Sequence, residues 1–409
     1  MWGDPVSTPR LSQLRLLSRQ ARVACSRELK PFLFPMLKIA VDAMGGDRAP
    51  GAVVEGALLA ASELGVEILL VGDKEAVERA LAQAPRNSPS LKVVPASQTV
   101  AMDESPRAAL RKKDSSMKVA FEMMKRGAVQ AVVSAGNSGA MMATGMFVMG
   151  NLPQVERPAI LVVIPTLGKG TVIIDAGANV DCKPRHLLQF GLMGSIYAER
   201  ALGISRPRVG VLSNGEEEGK GNDLTRAASE HLSSTSLNYI GYVEGRDICD
   251  GEVDVVVCDG FTGNVTLKTM EGVASFIVGV LKDAFRQTLV SRLGYLLSRK
   301  SLRKAYSRLD HAEYGGAPLL GLDGVAIIAH GGSGPKAIKN AIRVAKEAVL
   351  QDVNRHIIEV LGEMGEIGGE KEEKLPRGIW QRLKSKIESL GEKPAPEGEG
   401  RESKSGGKG

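Results

Sequence analysis

Short apolar runs rich in Val and Ile recur along the chain. Each ends in a cluster of Gly, Asn or Asp that opens into residues with apolar positions at helical spacing. The first unit is the run Lys38–Asp42, the loop Ala43–Pro50 and a helix through Ala60. The pattern returns at Glu67–Val71 with Gly72-Asp73 and a helix over Lys74–Ala84, and at Ala131–Ser134 with Ala135–Gly139 and a helix over Ala140–Met149. It returns again at Thr171–Ile174 with Asp175–Asn179, Val209–Leu212 with Ser213–Gly215, Val253–Val257 with Cys258–Asn264, and Val325–Ala329 with His330–Gly334. Strand, polar loop and helix in repetition predict an α/β fold with a largely parallel sheet between helical layers. In an open sheet of that kind the loops at the carboxyl ends of the strands share one edge, where ligands bind, so all seven loops are expected to converge. Their backbone N–H groups and helix N-termini would suit an anion. Strand-to-helix turns need Gly, Asn and Asp for their dihedrals in any case, so no single loop carries the expectation.

From Leu267 to Leu309 the rhythm changes. No strand intervenes, and Phe276, Val280, Phe285, Leu289, Leu293, Leu296 and Leu297 follow helical spacing, which predicts a long amphipathic excursion over residues 267–312. Arg286, Arg292, Arg299, Lys300, Arg303, Lys304 and Arg308 give it seven positive charges, with no acidic residue between Asp283 and Asp310. Such a segment suits an anionic lipid surface or an acidic protein. A dimer interface with a solvated basic rim fits it equally well, and the two can coexist.

Composition narrows the class. With 409 residues, 43% of them hydrophobic, the chain can bury a large core, and no apolar run reaches the roughly 18 residues a membrane span needs. The four cysteines, Cys25, Cys182, Cys249 and Cys258, form no C-x-x-C pair, which fits a reduced, cytoplasmic setting. Net charge is +6, but residues 1–35 hold six basic side chains against two acidic ones, so the body is only weakly basic. With 4% aromatic residues there is little to stack on bases, and nucleic acid is not an expected partner. The domain expectation is a basic, disordered extension over 1–35, an α/β body over 36–352, and over 353–409 the end of the last helix followed by a charged mobile tail. A short helix is predicted within that tail around Trp380–Leu390.

The chain has no G-x-S-x-G elbow, H-E-x-x-H or P-loop, and no G-x-G-x-x-G follows the first strand. Its strand ends offer Lys183, Arg185 and His186, then Lys220, then Asn264 and Lys268, then His330. This cationic, amide-rich chemistry suits an anion that is already nucleophilic and needs positioning beside an electrophile. Phosphate is such a reactant, being substantially dianionic near neutrality, and a thiolate leaves without a strong acid. No cofactor or metal is implied. Asp42 and Asp47 read most simply as loop braces, and Cys182 lacks a motif His that would make it a nucleophile.

The loops Ile39-Ala-Val-Asp-Ala-Met-Gly-Gly-Asp-Arg-Ala-Pro50, Val133-Ser-Ala-Gly-Asn-Ser-Gly139, Asp175-Ala-Gly-Ala-Asn179, Ser213-Asn-Gly-Glu-Glu217 with Lys220-Gly-Asn222, Asp259-Gly-Phe-Thr-Gly-Asn264 and His330-Gly-Gly-Ser333 share a wider pattern. In order, over residues 38–350, they resemble the phosphate acyltransferase family, PlsX. The resemblance implies transfer of a long-chain acyl group from acyl-acyl carrier protein to inorganic phosphate, giving acyl phosphate for a membrane glycerol-3-phosphate acyltransferase. It implies a homodimeric three-layer α/β/α fold similar to phosphotransacetylase and isocitrate dehydrogenase, attached peripherally to the inner face of the cell membrane. The acidic carrier protein becomes a second candidate partner for the basic excursion. Arg48 stands where the family often has His, Ser138 where Thr is common and Thr262 where Val is common.

Under this resemblance Lys183 and Lys220 hold phosphate, while Asn214, Asn179 and Asn264 orient the acyl donor and stabilise the oxyanion. His186 is the candidate proton donor to the leaving sulfur. The expected substrate-binding set is Asp42, Gly45, Gly46, Asn137, Ser138, Gly139, Asn179, Asn264, Lys268, His330 and Ser333. Two rivals remain open at this point. One is a phosphotransacetylase-like enzyme acting on acyl-CoA; the other is a non-catalytic membrane scaffold for lipid-synthesis enzymes.

Overall fold

A computed structural model of the protein describes residues 36–84, 90–166, 170–309 and 315–367, leaving the side chains of 304–309 and 364–367 undescribed. The expectations for residues 1–35 and for a helix at 380–390 lie outside these residues. The strands are β1 (Lys38–Asp42), β2 (Glu67–Gly72), β3 (Leu91–Pro95), β4 (Ala131–Ser134), β5 (Ala159–Ile164), β6 (Thr171–Ile174), β7 (Arg208–Leu212), β8 (Asn238–Val243), β9 (Val255–Val257), β10 (Ala317–Leu320) and β11 (Val325–Ile328). They form one sheet of 11 strands in the order β3-β2-β1-β4-β11-β10-β5-β6-β9-β7-β8.

The helices are α1 (Gly51–Leu64), α2 (Lys74–Gln83), α3 (Pro106–Ala109), α4 (Ser116–Lys125), α5 (Ser138–Val148), α6 (Pro184–Arg200), α7 (Asp223–Ser233), α8 (Gly260–Arg286), α9 (Leu289–Leu309), α10 (Pro335–Leu350) and α11 (Val353–Ile367). They cover both faces of the sheet, giving the three-layer α/β/α arrangement. Met117 and Phe121 of α4 and Met141 of α5 pack with Ala40, Val132 and Ala326 on one face of the first strands. Ile39, Val41 and Val133, which alternate to the other face, are buried too, and there α1 and α10 approach so closely that a Cβ at Gly56 would meet Ile338. Leu187, Phe190 and Met193 of α6 cover Val172, Ile174, Val209 and Val255, while Leu267 and Met270 of α8 pack near Ile173 and Val256.

Strand direction overturns one expectation. Strands β3, β2, β1, β4 and β11 run parallel, β10 is antiparallel to β11 and to β5, and β5 is antiparallel to β6. After those three reversals β6, β9, β7 and β8 form a second parallel block pointing the opposite way. The loops after β1, β2, β4 and β11 therefore lie at one edge of the sheet, and those after β6, β7 and β9 at the other. The seven loops do not share one edge.

Two helical boundaries also differ from expectation. The excursion begins earlier than Leu267, since α8 starts at Gly260, where Asp259 accepts a hydrogen bond from the Thr262 N–H at 2.9 Å. Beyond Leu350 the chain does not simply finish a helix: it turns at Asp352 (φ 50°) and forms α11, whose Val353, Ile357 and Leu361 join the core beneath α6. No helix among the described residues is long and apolar enough to cross a membrane.

Glycines report how tightly these elements meet. A Cβ at Gly263, in the first turn of α8, would run into the Asp175 carbonyl, whereas one at Gly362 in α11 would meet nothing within 4 Å. Gly263→Ala is expected to destabilise the fold by roughly 1–3 kcal/mol through overpacking. Gly362→Ala is expected to stabilise it by up to about 1 kcal/mol through helix propensity. Urea midpoints shifting in the same direction for both would contradict this packing.

Candidate active site

At the first edge three loops close on one another around a buried carboxylate. Asp42 accepts from the Met44 N–H at 3.2 Å and from the Ser134 hydroxyl at 2.7 Å, and the Ser134 oxygen accepts from the Gly136 N–H at 3.0 Å. Burial pushes the Asp42 carboxyl up from its ordinary value, against these hydrogen bonds, which favour the charged form. Gly45 lies so close to Gly136 and Ser134 that a side chain would collide with them. Gly46 adopts φ 100° beside the Gly331 carbonyl, to which the Asp47 N–H donates at 2.9 Å. His330 Nδ1 accepts from the Gly332 N–H at 3.1 Å, and Ser333 is buried. The structure thus brings Asp42, Gly45, Gly46, His330 and Ser333 together, with Asp42 as the loop brace of the simpler reading.

Asn137 caps α5 by accepting from the Ala140 N–H at 2.9 Å. Its Nδ2 donates to the carbonyls of Met102 and Glu104 at 2.7 and 3.0 Å. Both donors of this amide are taken, so it pins the 102–104 segment and has no proton left for an anionic ligand. Ser138 and Gly139, next in sequence, are exposed at the start of α5.

The second edge is organised by Asp175, which is fully buried. Its Oδ1 accepts from the N–H groups of Ile160, Gly177 and Ala178 at 3.0, 3.1 and 2.9 Å. Its Oδ2 accepts from the N–H and the Nδ2 of Asn179 at 2.6 and 2.9 Å. Burial raises the pKa of this carboxyl, yet all five partners are donors, so the loop is built around its ionised form. The N–H groups of this loop therefore point inward and do not serve an external anion. The second Nδ2 proton of Asn179 goes to the Pro158 carbonyl at 2.7 Å, so Asn179 has no donor left for an oxyanion. Its Oδ1 is buried without a partner among the described residues. Asn179 locks the loop to α8 instead, through the Gly260 N–H to its carbonyl at 2.7 Å.

Donors do face solvent at this edge. Lys183 follows the Asp175 loop, is exposed and makes no ion pair among the described residues. Asn264 is exposed, its Cβ beside Gly177. Asn214 accepts from the Gly221 N–H at 2.8 Å through Oδ1, which leaves its Nδ2 outward. Lys220 lies over Gly215, 3.9 Å from Glu217, with 46% of its side chain exposed. Strands β6, β9 and β7 are neighbours, so these four residues belong to adjacent loops.

Two expected residues have other tasks. Lys268 pairs with Glu271 at 2.8 Å on the outer surface of α8 and does not turn toward the loops. His186 is buried, its Nδ1 accepting from the Lys183 N–H at 3.1 Å, so its protonated Nε2 donates to Glu156 at 2.9 Å. Both nitrogens are used within the protein, and the ring cannot serve as proton donor to a leaving sulfur. It fixes the start of α6 and thereby the backbone of Lys183. Glu156 completes this brace and also holds Arg185 at 3.1 Å. Burial pushes the Cys182 thiol up to about 12, which disfavours the thiolate that a nucleophile needs. Sequence reasoning missed Glu156, which has no motif and lies 30 residues from His186. It quoted Asp175 without seeing its role, although an Asp at a strand end before Gly-rich turns is a visible cue for a loop brace. Among the described residues no cluster of His, Cys, Asp and Glu could hold a metal ion.

This architecture is that of the phosphotransacetylase-like α/β/α proteins. A phosphotransacetylase from Streptococcus pyogenes matches with a TM-score of 0.54, covering 83% of this chain and 99% of that one at 15% identity, a likeness of fold alone. More specifically, the model of the family described as "Fatty acid synthesis protein" matches residues 37–356, and the chain belongs to that family. A relative named phosphate acyltransferase from Geotalea daltonii is 54% identical over 328 residues, which cover 80% of this chain and 95% of the relative. Another of that name, from Geobacter sulfurreducens, is 52% identical over 79% of this chain and 94% of its own length.

The His186 brace predicts a pH dependence. Burial, ahead of the opposing pull of Glu156, lowers the imidazole pKa below its ordinary 6.5. The unfolded chain then binds the proton more readily, so the brace stabilises fully above 6.5 and its contribution is lost as pH falls through the lower folded value. The urea midpoint of wild type should exceed that of His186→Gln most near neutrality, with the gap closing on acidification. A gap that is constant with pH would contradict a neutral, doubly bonded His186.

Proposed function

We propose that the protein is a phosphate acyltransferase that moves a long-chain fatty acyl group from the thioester of an acyl carrier protein to inorganic phosphate. Identity above one half with relatives named phosphate acyltransferase, over nearly their whole length, supports the reading. The observation that carries the chemistry is the group Lys183, Asn214, Lys220 and Asn264, exposed at adjacent strand ends, with Lys220 engaged among the described residues only by the 3.9 Å pair to Glu217. The ammonium groups of Lys183 and Lys220 seat the phosphate. The outward amides of Asn214 and Asn264 donate to the thioester oxygen as it gains charge.

A phosphate oxygen attacks the thioester carbonyl, forming the C–O bond of the acyl phosphate. The C–S electron pair then leaves with sulfur, whose thiolate takes a proton from solvent. Inorganic phosphate is substantially dianionic near neutrality, as phosphate monoesters are, and a thiolate of pKa about 8.5 departs unaided. The residues need supply only position and electrostatic stabilisation, which is consistent with the inward engagement of His186.

The α8–α9 excursion serves the inner face of an anionic membrane and a second copy of the chain in this proposal. Phe276, Leu289, Val290 and Leu297 are 71–81% exposed there, beside the exposed Arg286, Arg299, Lys300 and Arg303. Arg292 caps the end of α8 through the Arg286 carbonyl at 3.1 Å. The side chains of Lys304 and Arg308 lie outside the described residues. Such placement delivers acyl phosphate close to a membrane glycerol-3-phosphate acyltransferase.

Purified protein incubated with palmitoyl-acyl carrier protein and phosphate should release free thiol and form acyl phosphate trappable by hydroxylamine, with a phosphate-free control for direct aminolysis. Lys183→Ala and Lys220→Ala should each lower the phosphate-dependent rate about 100-fold or more without unfolding the protein. Near-normal turnover in both variants would overturn this assignment.

A further inference from the structure

The geometry points to a docking surface for an acidic protein on the segment that straps the start of α5, centred on Arg107, Arg111 and Lys113. This inference deepens the proposed function, because the partner is the carrier that brings the thioester. Between Met102 and Lys118 the sequence places Arg107, Arg111, Lys112, Lys113 and Lys118 against Asp103, Glu104 and Asp114.

Two of the acids are spent within the fold, which leaves the exposed Asp103 as the one acid facing the three unspent bases. Glu104 accepts from Lys112 at 2.6 Å and from the Ala101 N–H at 3.1 Å, and Asp114 accepts from the N–H and hydroxyl of Ser97 at 2.8 and 2.6 Å. Two of the bases are spent too: Lys112 also donates to the Thr99 carbonyl at 2.6 Å, and Lys118 sits 5.8 Å over the Phe147 ring. Arg107, Arg111 and Lys113 remain exposed with no ion pair among the described residues.

Three further observations favour a folded acidic partner. The backbone of the strap is held by the Asn137 amide on the Met102 and Glu104 carbonyls and by the Ser105 cap of α3, so the start of α3 that carries Arg107 is anchored to α5. Met102 is the only large exposed apolar residue among the described residues of this stretch, unlike α9 with its exposed Leu293, Leu296 and Leu297. The surface therefore lacks what lipid insertion needs and has what charge steering needs. The strap also adjoins the start of α5, where Pro106 approaches Gly139. From there α5 runs about 16 Å, and Ala176 and Ala178 of the Asp175 loop share an apolar cluster with its Met141, Met142 and Met146. A thioester on a long flexible arm, anchored by its carrier at the strap, could follow α5 toward Lys183.

The test measures binding and turnover separately. Fluorescence anisotropy of labelled holo-acyl carrier protein should show salt-sensitive binding to wild type, weakened at least ~10-fold in Arg107→Glu/Arg111→Glu/Lys113→Glu and less in the triple Ala variant. Turnover of palmitoyl-CoA with phosphate should be unchanged, which shows that the variant is folded and its chemistry intact. Unchanged carrier binding would overturn the surface, whether or not any acyl phosphate is formed. So would an equal loss with both donors, or loss of binding to anionic phosphatidylglycerol vesicles while carrier affinity is kept. Absence of acyl phosphate from wild type with both donors would instead count against the proposed function.

Discussion

The reversal of strand direction through β10, β5 and β6 governs the rest of the molecule. Two parallel blocks, each feeding loops from its carboxyl ends, are joined so that their loop-bearing edges oppose each other. Each block has helices over it, so each edge is a separate place where side chains can gather. α5 lies between them, starting among the first loops and sharing an apolar cluster with Ala176 and Ala178 of the second set. A substrate with an anionic end and a long tethered end matches a molecule with two such places.

At both edges the same device shapes the loops. Asp42 ends β1 and Asp175 follows β6, and each gathers the amides of the turn that comes next. A buried carboxylate needs such donors, because leaving it unsatisfied would cost several kcal/mol. The consequence for chemistry is that Gly-rich loops which look like anion cradles spend their N–H groups on their own aspartates. In the proposed mechanism, positive charge and outward donors then come from Lys183, Lys220, Asn214 and Asn264. This division also gives Asn179 and His186 tasks inside the protein, one locking the loop to α8 and the other holding the start of α6.

The strands legible in the sequence were those followed by a polar loop and a helix, since that grammar is what parallel connection requires. β5 and β10 escaped it because each joins its sequence neighbour, β6 or β11, as an antiparallel pair, without an intervening helix. They are the strands that reverse the sheet, so the expectation of a single edge failed with them. Residue types at the site were legible, but hydrogen-bond partners were not. Nothing in the local sequence shows that Glu156 meets His186, that both Asn137 protons go to carbonyls, or that Lys268 turns toward Glu271. Thr262, where the family often has Val, is explained by its hydroxyl, which donates to Asp259 at 2.7 Å at the head of α8.

The proposed chemistry requires phosphate at the second edge rather than the first. A crystal structure of the protein grown with inorganic phosphate tests this most directly. Density for phosphate is expected within hydrogen-bond reach of Lys183 and Lys220, beside the amides of Asn214 and Asn264. Phosphate seated instead on Ser138 and Gly139 at the start of α5, with both lysines turned to solvent, would contradict it.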